Sequence, residues 1–356
     1  MNKRSNGKMN RSTLSEVAER AGVSPTTASL VLGGKSEEHR ISEDTYLRVK
    51  KAAEELDYSP NLLVHSMQHG RTHILSFYNA FRNRVIDDLY MDRLSAAIEN
   101  AGGLCGYDIL VHSNFTRSPQ ETYRFLNGGR ADGLLLFAPL PDDPLLPLFR
   151  KSRMPVLLIN ARDDEGVLPS VKDDMISGMR QVAEKLVKLG HKNIVAMTEE
   201  GREDHDSRAR ITLLRQFLRE KGGDLPDNRI INLADHSRSA VAELIRSKDA
   251  PTAIFCWRDW LAYFVLEICE DEGVSVPEQL SVVGYDGLHW PSTTRHVAAS
   301  VHVDLKALAS ASVKLLDHYI SEEAVGAIQQ ALPVFLEPGT TLGPPRLYGE
   351  ISTERS

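Results

Sequence analysis

The chain of 356 residues carries a formal net charge of −7, with 42% hydrophobic residues, 26% charged residues and three cysteines. This length exceeds one small domain, and the composition is that of an ordinary globular protein without a membrane span, since no run of about 18 apolar residues occurs. The basic N-terminus lacks the apolar stretch of a secretory signal, and the odd, unpatterned set of cysteines argues against disulfides and zinc, so we expect a cytoplasmic protein.

Charge is divided unevenly along the chain. Residues 1–71 hold 11 Lys and Arg against 9 Asp and Glu, a net charge of +2, so the remainder carries −9. An acidic larger part disfavours indiscriminate binding to nucleic acid, whereas the basic end can contact phosphates. Residues 1–11 have no apolar pattern and are predicted to be a disordered basic arm, which either contacts phosphate or only adds solubility.

Residues 13–32 have the pattern of two short helices joined by a tight turn. Thr13 and Glu16 can form a capping box, and apolar residues recur at helical spacing until Gly22, which suits a left-handed helix end. Ser24 can cap a second helix that has proline in its first turn. The outer face of this second helix is small and polar, so it can approach base edges and phosphates closely. The pattern predicts a helix-turn-helix that enters a DNA major groove; the alternative is a plain helical hairpin.

A third helix is predicted to start at Ser42 and to end before Pro60, because the residue before a proline avoids helical geometry. Its apolar residues recur at helical spacing and complete a three-helix core: Tyr46, Val49, Ala53 and Leu56. Asn61 can cap a further short segment, LLVHSMQ, which ends at a glycine. We therefore predict a DNA-binding domain over 12–58 and a short helix or linker over 59–71.

From residue 72 onward, apolar runs alternate with amphipathic stretches. The runs are predicted to be buried parallel strands: ILSFY, YDILVHS, ADGLLLFAP, PVLLIN, NIVAMTE, TAIFCW and LSVVGYD. The amphipathic stretches are predicted to be helices, each closed by glycine: MDRLSAAIENAG, SGMRQVAEKLVKLG and SRARITLLRQFLREKG. This alternation predicts an all-α headpiece followed by an α/β core of two doubly wound lobes.

These motifs resemble those of the lactose-repressor (LacI/GalR) family of bacterial transcriptional regulators. The match in the headpiece includes VAERAGVSPTTAS, RIS and AAEELDYSPN, and the looser match in the core includes GRADGLLLF, GHKNIVAM and SVVGYDG. The resemblance implies a core like the periplasmic sugar-binding proteins, in which the chain crosses three times between lobes. The crossings are expected near 171–174, 301–304 and 326–331.

These crossings define the expected domain boundaries. The effector-binding and dimerisation core covers 72–343. Its first lobe is about 72–172 plus 303–328, and its second lobe is about 173–301 plus 329–343. A polar tail follows at 344–356.

The resemblance also implies which residues contact DNA. Thr26 and Leu30 lie where the family reads bases, and Pro25 and Leu30 can offer only apolar contacts, for example to a thymine methyl group. Contacts to phosphates are assigned to five residues: Thr13, Ser24, Thr27, Ser29 and Asn61. In the hinge, His65 replaces the usual arginine, and Met67 replaces a leucine that opens a central base step in the minor groove. Met67 either serves as that wedge or packs as a linker residue.

The family binds a small-molecule effector between its lobes, at loops that follow the carboxyl ends of the strands. The candidate effector contacts are seven residues: Tyr90, Asp173, Arg210, His236, Trp257, Asp259 and Asp286. Arg210 and Asp259 match residues of the family that contact the effector, and His236 lies where a family aromatic residue often stacks. Each Asp either contacts the ligand or caps a helix, and each of the other aromatic residues either faces the ligand or belongs to the core.

These features predict a homodimeric repressor of carbohydrate-metabolism genes that binds a near-palindromic operator in double-stranded DNA and is controlled by a sugar or sugar derivative. A purine- or nucleoside-responsive repressor is the alternative within the family, and a sugar-binding receptor without a regulatory role is the alternative outside it. The sequence has no GxSxG, P-loop or HExxH motif, so we expect no enzymatic activity, cofactor or metal. Dimerisation is expected through helices around 89–100 and 118–127.

Overall fold

The computed structural model describes residues 12–59, 70–81, 88–199, 205–233, 237–322 and 326–345. The chain divides into two compact units, a headpiece that ends at His73 and a core that starts at Ile74. Several predictions lie outside the described residues: the basic arm, the hinge residues Asn61, His65 and Met67, the cleft residue His236, and the polar tail. No helix in the described ranges is long and apolar enough to cross a membrane.

In residues 12–59 and 70–73, the described part of the headpiece, the chain forms three helices, α1 (Leu14–Ala21), α2 (Pro25–Leu32) and α3 (Glu43–Glu55). Their shared core consists of small buried side chains: Val17, Ala18, Ala21, Ala28, Val31, Val49, Ala52 and Ala53. Tyr46, which the sequence pattern placed in this core, is instead 36% exposed. Helix α3 turns Val49, Ala52 and Ala53 toward the core, and Tyr46 lies outside this buried stripe.

Gly22 ends α1 in the left-handed conformation, with φ of 67°. A Cβ atom at this position would lie 3.6 Å from Arg48 Nη1, so the cost of a side chain is conformational rather than steric. We expect Gly22→Ala to lower the stability of the headpiece by about 1 kcal/mol. Hydrogen exchange of the headpiece amides in the full chain measures this loss. The exposed helical substitution Ser15→Ala should leave exchange unchanged, and equal exchange in both variants would show that the turn stores no such strain.

The described residues of the core form two six-stranded sheets. The strands of the first are β1 (Ile74–Asn79), β2 (Asp108–His112), β3 (Gly133–Phe137), β4 (Val156–Ile159), β5 (Ser170–Asp173) and β11 (Gln329–Leu332). The strands of the second are β6 (Ile194–Glu199), β7 (Ile230–Leu233), β8 (Ala253–Cys256), β9 (Ser281–Asp286), β10 (Ala299–His302) and β12 (Phe335–Glu337). The strand orders are β11-β5-β4-β3-β1-β2 and β12-β10-β9-β8-β6-β7. Neighbouring strands are parallel except for β10 and β12.

Helices connect these strands and cover the sheets. They are α4 (Leu89–Leu104), α5 (Pro119–Leu126), α6 (Leu146–Phe149), α7 (Met175–Leu189), α8 (His205–Glu220), α9 (Arg238–Arg246), α10 (Asp259–Asp271) and α11 (Leu305–Ser321). Helices α4 and α11 pack against each other and against the first sheet, whereas α7 packs on α8 and the second sheet. Strands β3 and β4 are buried at every position, as is expected of parallel strands that are covered on both faces.

The position of strand β11 shows that the predicted boundary between the lobes near residue 329 is wrong. It pairs with β5 in the first sheet, with Gln329 opposite Ser170 and Leu332 opposite Asp173. Residues 329–332, which the sequence analysis assigned to the second lobe, therefore belong to the first, and the third crossing lies at 333–334. The segment QQAL has no apolar run because this edge strand is only partly covered, and the pattern therefore did not reveal it.

Helix α4 also differs from its prediction, because it continues through Gly102 to Leu104. A Cβ atom on Gly102 would lie 2.6 Å from Ile109 Cδ1. The glycine therefore allows β2 to approach the helix closely, and it does not mark the helix end.

Candidate functional site

The headpiece presents the N-terminal part of α2 to solvent. The Ser24 hydroxyl accepts a hydrogen bond from the Thr27 N–H at 3.1 Å and thereby caps the helix. Pro25 and Thr26 are exposed, and Ser29 is half-buried. Ala28 and Val31, on the opposite side of the helix, are fully buried. The burial pattern therefore leaves a small, uncharged face outward.

The other predicted DNA contacts adjoin this face or begin α1. Leu30 is half-buried within α2, and Thr13 caps α1. The Glu16 carboxylate accepts bonds from the Thr13 N–H at 2.6 Å and from its hydroxyl at 3.0 Å. No Asp or Glu occurs in residues 21–36, so no carboxylate of this segment would repel a phosphate. This part of the headpiece can approach a polyanion closely.

The core brings together six candidate effector residues from six elements: Tyr90 in α4, Asp173 at the end of β5, Arg210 in α8, Trp257 after β8, Asp259 at the start of α10 and Asp286 at the end of β9. The first two belong to the first lobe and the other four to the second. The group therefore lies between the two sheets, at the carboxyl ends of parallel strands, where α/β proteins bind ligands.

Arg210 is the central cation of this group. Its Nη1 donates to the Trp257 carbonyl at 2.6 Å, and its Nη2 lies 3.6 Å from Asp286 Oδ1. The guanidinium carbon lies 3.6 Å from the ring centroid of Tyr285. Only 7% of the Arg210 side chain is exposed, so these partners compensate a buried charge.

Tyr285, which the sequence analysis did not single out, joins the two lobes. Its hydroxyl donates to the Asp173 carboxylate, and the two residues belong to different sheets. Tyr285 stands inside the apolar run LSVVGYD and was therefore assigned only to a strand. Its position directly before Asp286, at the carboxyl end of β9, is the signal that would have identified it.

The Asp259 carboxylate links the start of α10 to β10 and to the loop that follows β9. Its Oδ1 accepts a bond from the Ser300 hydroxyl at 2.6 Å, and its Oδ2 accepts one from the Leu288 N–H at 2.5 Å. Arg258, not Asp259, occupies the N-cap position of α10. An effector that contacts this carboxylate, which is only 1% exposed as a residue, has to share or displace one of these bonds.

Burial sets the protonation of the carboxyl groups. It raises the pKa of Asp286 to about 7, while Arg210 and Arg258 act in the opposite direction. Burial, and secondly the Asp286 charge, raises the pKa of Asp259 well above its ordinary range. The pKa of Asp286 thus lies near neutral pH, where its carboxyl group accepts hydrogen bonds in the ionised form and both donates and accepts them in the protonated form, which suits a ligand rich in hydroxyl groups.

Aromatic rings of the first lobe lie beside this polar group. The ring centroids of Phe81 and Tyr90 are each 6.1 Å from that of Phe137. The Tyr90 hydroxyl accepts a hydrogen bond from Asn160 Nδ2 at 2.6 Å. The Trp257 indole N–H is buried and has no hydrogen-bond acceptor among the residues that the structure describes. Aromatic surface beside unsatisfied polar atoms can hold a cyclic polar ligand.

Both units match models of known families. Residues 13–61 match the model described as bacterial regulatory proteins, lacI family. Residues 183–342 match the model described as periplasmic binding protein-like domain. The first match covers the helix-turn-helix, and the second covers most of the second lobe together with α11.

Curated relatives and solved structures match nearly the whole chain. Catabolite control protein A of Priestia megaterium is 24% identical over 330 residues, which is 91% of this chain and 97% of that protein. The HTH-type transcriptional repressor PurR of Photobacterium profundum is 27% identical over 322 residues, 87% of this chain and 92% of that protein. The lac repressor dimer bound to operator and the anti-inducer ONPF has the same fold, with a TM-score of 0.79, 24% identity and coverage of 94% of this chain and all of that one.

Proposed function

We propose that the chain is a DNA-binding transcriptional repressor of the lacI family of bacterial regulatory proteins, and that a small molecule between its two lobes controls its affinity for an operator. The proposed effector is a sugar or sugar derivative, and the proposed targets are genes of carbohydrate metabolism. The observation that carries this proposal is the buried cluster of Arg210 and three carboxyl groups that both lobes enclose.

The headpiece supplies the DNA contacts. In this proposal Thr26 and Leu30 face base edges in the major groove, Pro25 contributes an apolar contact, and the capping residues Thr13 and Ser24 lie against phosphates. The polar face of α2 and the absence of Asp and Glu from residues 21–36 support these roles. Thr27, Ser29 and Asn61 contribute further phosphate contacts, and Met67, near His65, opens the central base step.

The first lobe supplies the dimer contact. We place it on α4 and α5, beside β2, which is the edge strand of the first sheet. Val111 on this strand is 42% exposed, and an apolar side chain at an open sheet edge is suited to being covered. Dimerisation there sets two headpieces at the spacing of two half-sites.

The Tyr285–Asp173 hydrogen bond supplies a route for control. A ligand that inserts between the lobes competes for these groups, and it shifts the lobe arrangement by as much as its affinity differs between the two states, typically about 1–3 kcal/mol. The alternative effector class, purines and nucleosides, would use the same aromatic and polar groups.

A thermal-shift screen tests the effector. Monosaccharides, sugar acids, purines and nucleosides are added separately to the wild type and to Asp286→Asn. We expect a sugar-class compound to raise the unfolding temperature of the wild type, because a ligand that binds only the folded state stabilises it, and we expect Asp286→Asn to remove that shift. A compound whose shift survives in Asp286→Asn and in Tyr90→Phe binds elsewhere, and stabilisation only by purines would replace the sugar with the alternative effector.

A further inference from the structure

A groove of about 890 Å³ lies between α4 and α11 of the core. None of the six candidate effector residues that the structure describes lines it. The side chains on the α11 wall are Lys306, Ser310 and Lys314, which recur every four residues and therefore share one helix face. Arg93 and Asn100, seven residues apart, stand on the α4 wall.

Small side chains keep this groove open. The α4 wall has alanine at positions 96, 97 and 101, where the two helices lie side by side. Larger apolar residues at these positions would fill the space between the helices. These three alanines form an apolar surface, here called the alanine floor, and polar and charged side chains of both helices stand beside it.

The groove carries an uncompensated positive charge. Among the described residues, Arg93, Lys306 and Lys314 form no ion pair, although residues 72–356 carry a net charge of −9. Of the described residues that line the groove, Asp304 is the single one with a carboxylate. It caps α11 by accepting bonds from the N–H groups of Lys306 at 3.0 Å and Ala307 at 2.9 Å. The groove therefore has three cationic side chains and one carboxylate, and that carboxylate already accepts two backbone hydrogen bonds.

The end of the groove belongs to the second lobe. Gly287 and Leu288 follow β9, and His302 ends β10. The His302 ring packs on Phe335, with centroids 5.0 Å apart, so its position is fixed by β12. A molecule in the groove therefore touches both lobes at the point where the chain crosses between them.

We propose that this groove is a second ligand site, which binds a small molecule carrying two anionic groups, phosphate or carboxylate. Arg93, Lys306 and Lys314 bind the anionic groups, and the carbon skeleton of the ligand lies on the alanine floor. A cavity of 890 Å³ is within the range of sites that hold a molecule of this size. Since the ligand contacts both lobes, its binding favours one lobe arrangement and thereby changes operator affinity.

The site is compatible with the dimer contact on α4. Asp92 and Glu99 on this helix are exposed and do not line the groove, whereas Ala96, which lies between them on the same helix face, forms the near edge of the groove. A partner that covers Asp92 and Glu99 can leave Lys306 and Lys314 on the opposite wall accessible. The proposal also stands independently of the effector cluster, because the two sites share no side chain that is assigned a ligand contact.

Isothermal titration calorimetry of the full chain tests the site, with 3-phosphoglycerate as the probe because it carries a phosphate and a carboxylate on three carbons. We expect saturable binding to the wild type and at least about tenfold weaker binding to Lys306→Gln/Lys314→Gln. The matched control is Lys192→Gln/Lys248→Gln, which removes the same charge from two exposed lysines of the second lobe and should leave binding unchanged.

Two results would overturn the proposal. One is the absence of saturable binding to the wild type up to about 10 mM probe. The other is equal weakening in both double variants, which would mean that only net charge attracts the probe. Lys306 and Lys314 are exposed, so an unchanged unfolding temperature will show that the double variant is folded. Glycerate, which lacks the phosphate, should bind more weakly than 3-phosphoglycerate to the wild type.

Discussion

Thr26→Glu is expected to weaken operator binding about 100-fold, because a carboxylate on the exposed face of α2 meets the phosphates and acceptor-rich base edges of the major groove. Thr26 is exposed and caps nothing, so the headpiece should stay folded. Fluorescence anisotropy measures the affinity, with a duplex that the wild-type protein selects from a random-sequence pool.

The matched control places the same added charge on another helix. Leu47 in α3 is 58% exposed, and Leu47→Glu should change operator affinity far less than Thr26→Glu. If the two variants bind equally well, α2 does not enter the groove. Circular dichroism of both variants checks that their helix content matches that of the wild type.

Arg210→Leu is expected to destabilise the core by about 1.4 kcal/mol at pH 8, because the buried Asp286 carboxylate loses its cation and has to bind a proton. The loss should be smaller at pH 5. The pKa of Asp286 is raised by burial to about 7, so its native form already binds a proton at pH 5, whereas the unfolded chain ionises near pH 4. Its contribution to stability therefore falls as the pH rises from about 4 through 7. Urea denaturation of the core at both pH values measures the difference.

Two further variants separate charge from packing. Arg210→Leu/Asp286→Asn should recover much of the loss at pH 8, because no ionisable group then remains at position 286. Arg219→Leu, on the same helix, removes an exposed ion pair with Asp224 and should cost less than about 0.5 kcal/mol. A loss in Arg210→Leu that is equal at pH 5 and pH 8 and persists in the double variant would show that packing, not the Asp286 charge, explains the effect.

Local features of this protein could be predicted from the sequence because short-range interactions determine them. The capping box of Thr13 and Glu16 and the left-handed turn at Gly22 involve residues at most a few positions apart, and both are present. The seven apolar runs each contain a strand of the two sheets, since a parallel strand that is covered on both faces must be apolar along its length.

Long-range features could not be predicted in this way. Strands β5 and β11, with the sequences SVKD and QQAL, have mixed polarity, and pairing with residues distant in sequence makes them strands: β5 pairs with both β4 and β11, and β11 pairs with β5. The Tyr285–Asp173 bond joins residues 112 positions apart. The groove likewise depends on the packing of α4 against α11, which are distant in sequence, so neither could be read from spacing along the chain.

Two chains are expected to bind one symmetric duplex through their headpieces. The most direct test is an anisotropy titration at about 150 mM salt that compares a selected palindromic duplex with a scrambled duplex of equal composition. We predict a stoichiometry of two chains per palindrome and a preference of at least about 1,000-fold over the scrambled duplex. One chain per duplex, or equal affinity for both duplexes, would contradict this mechanism.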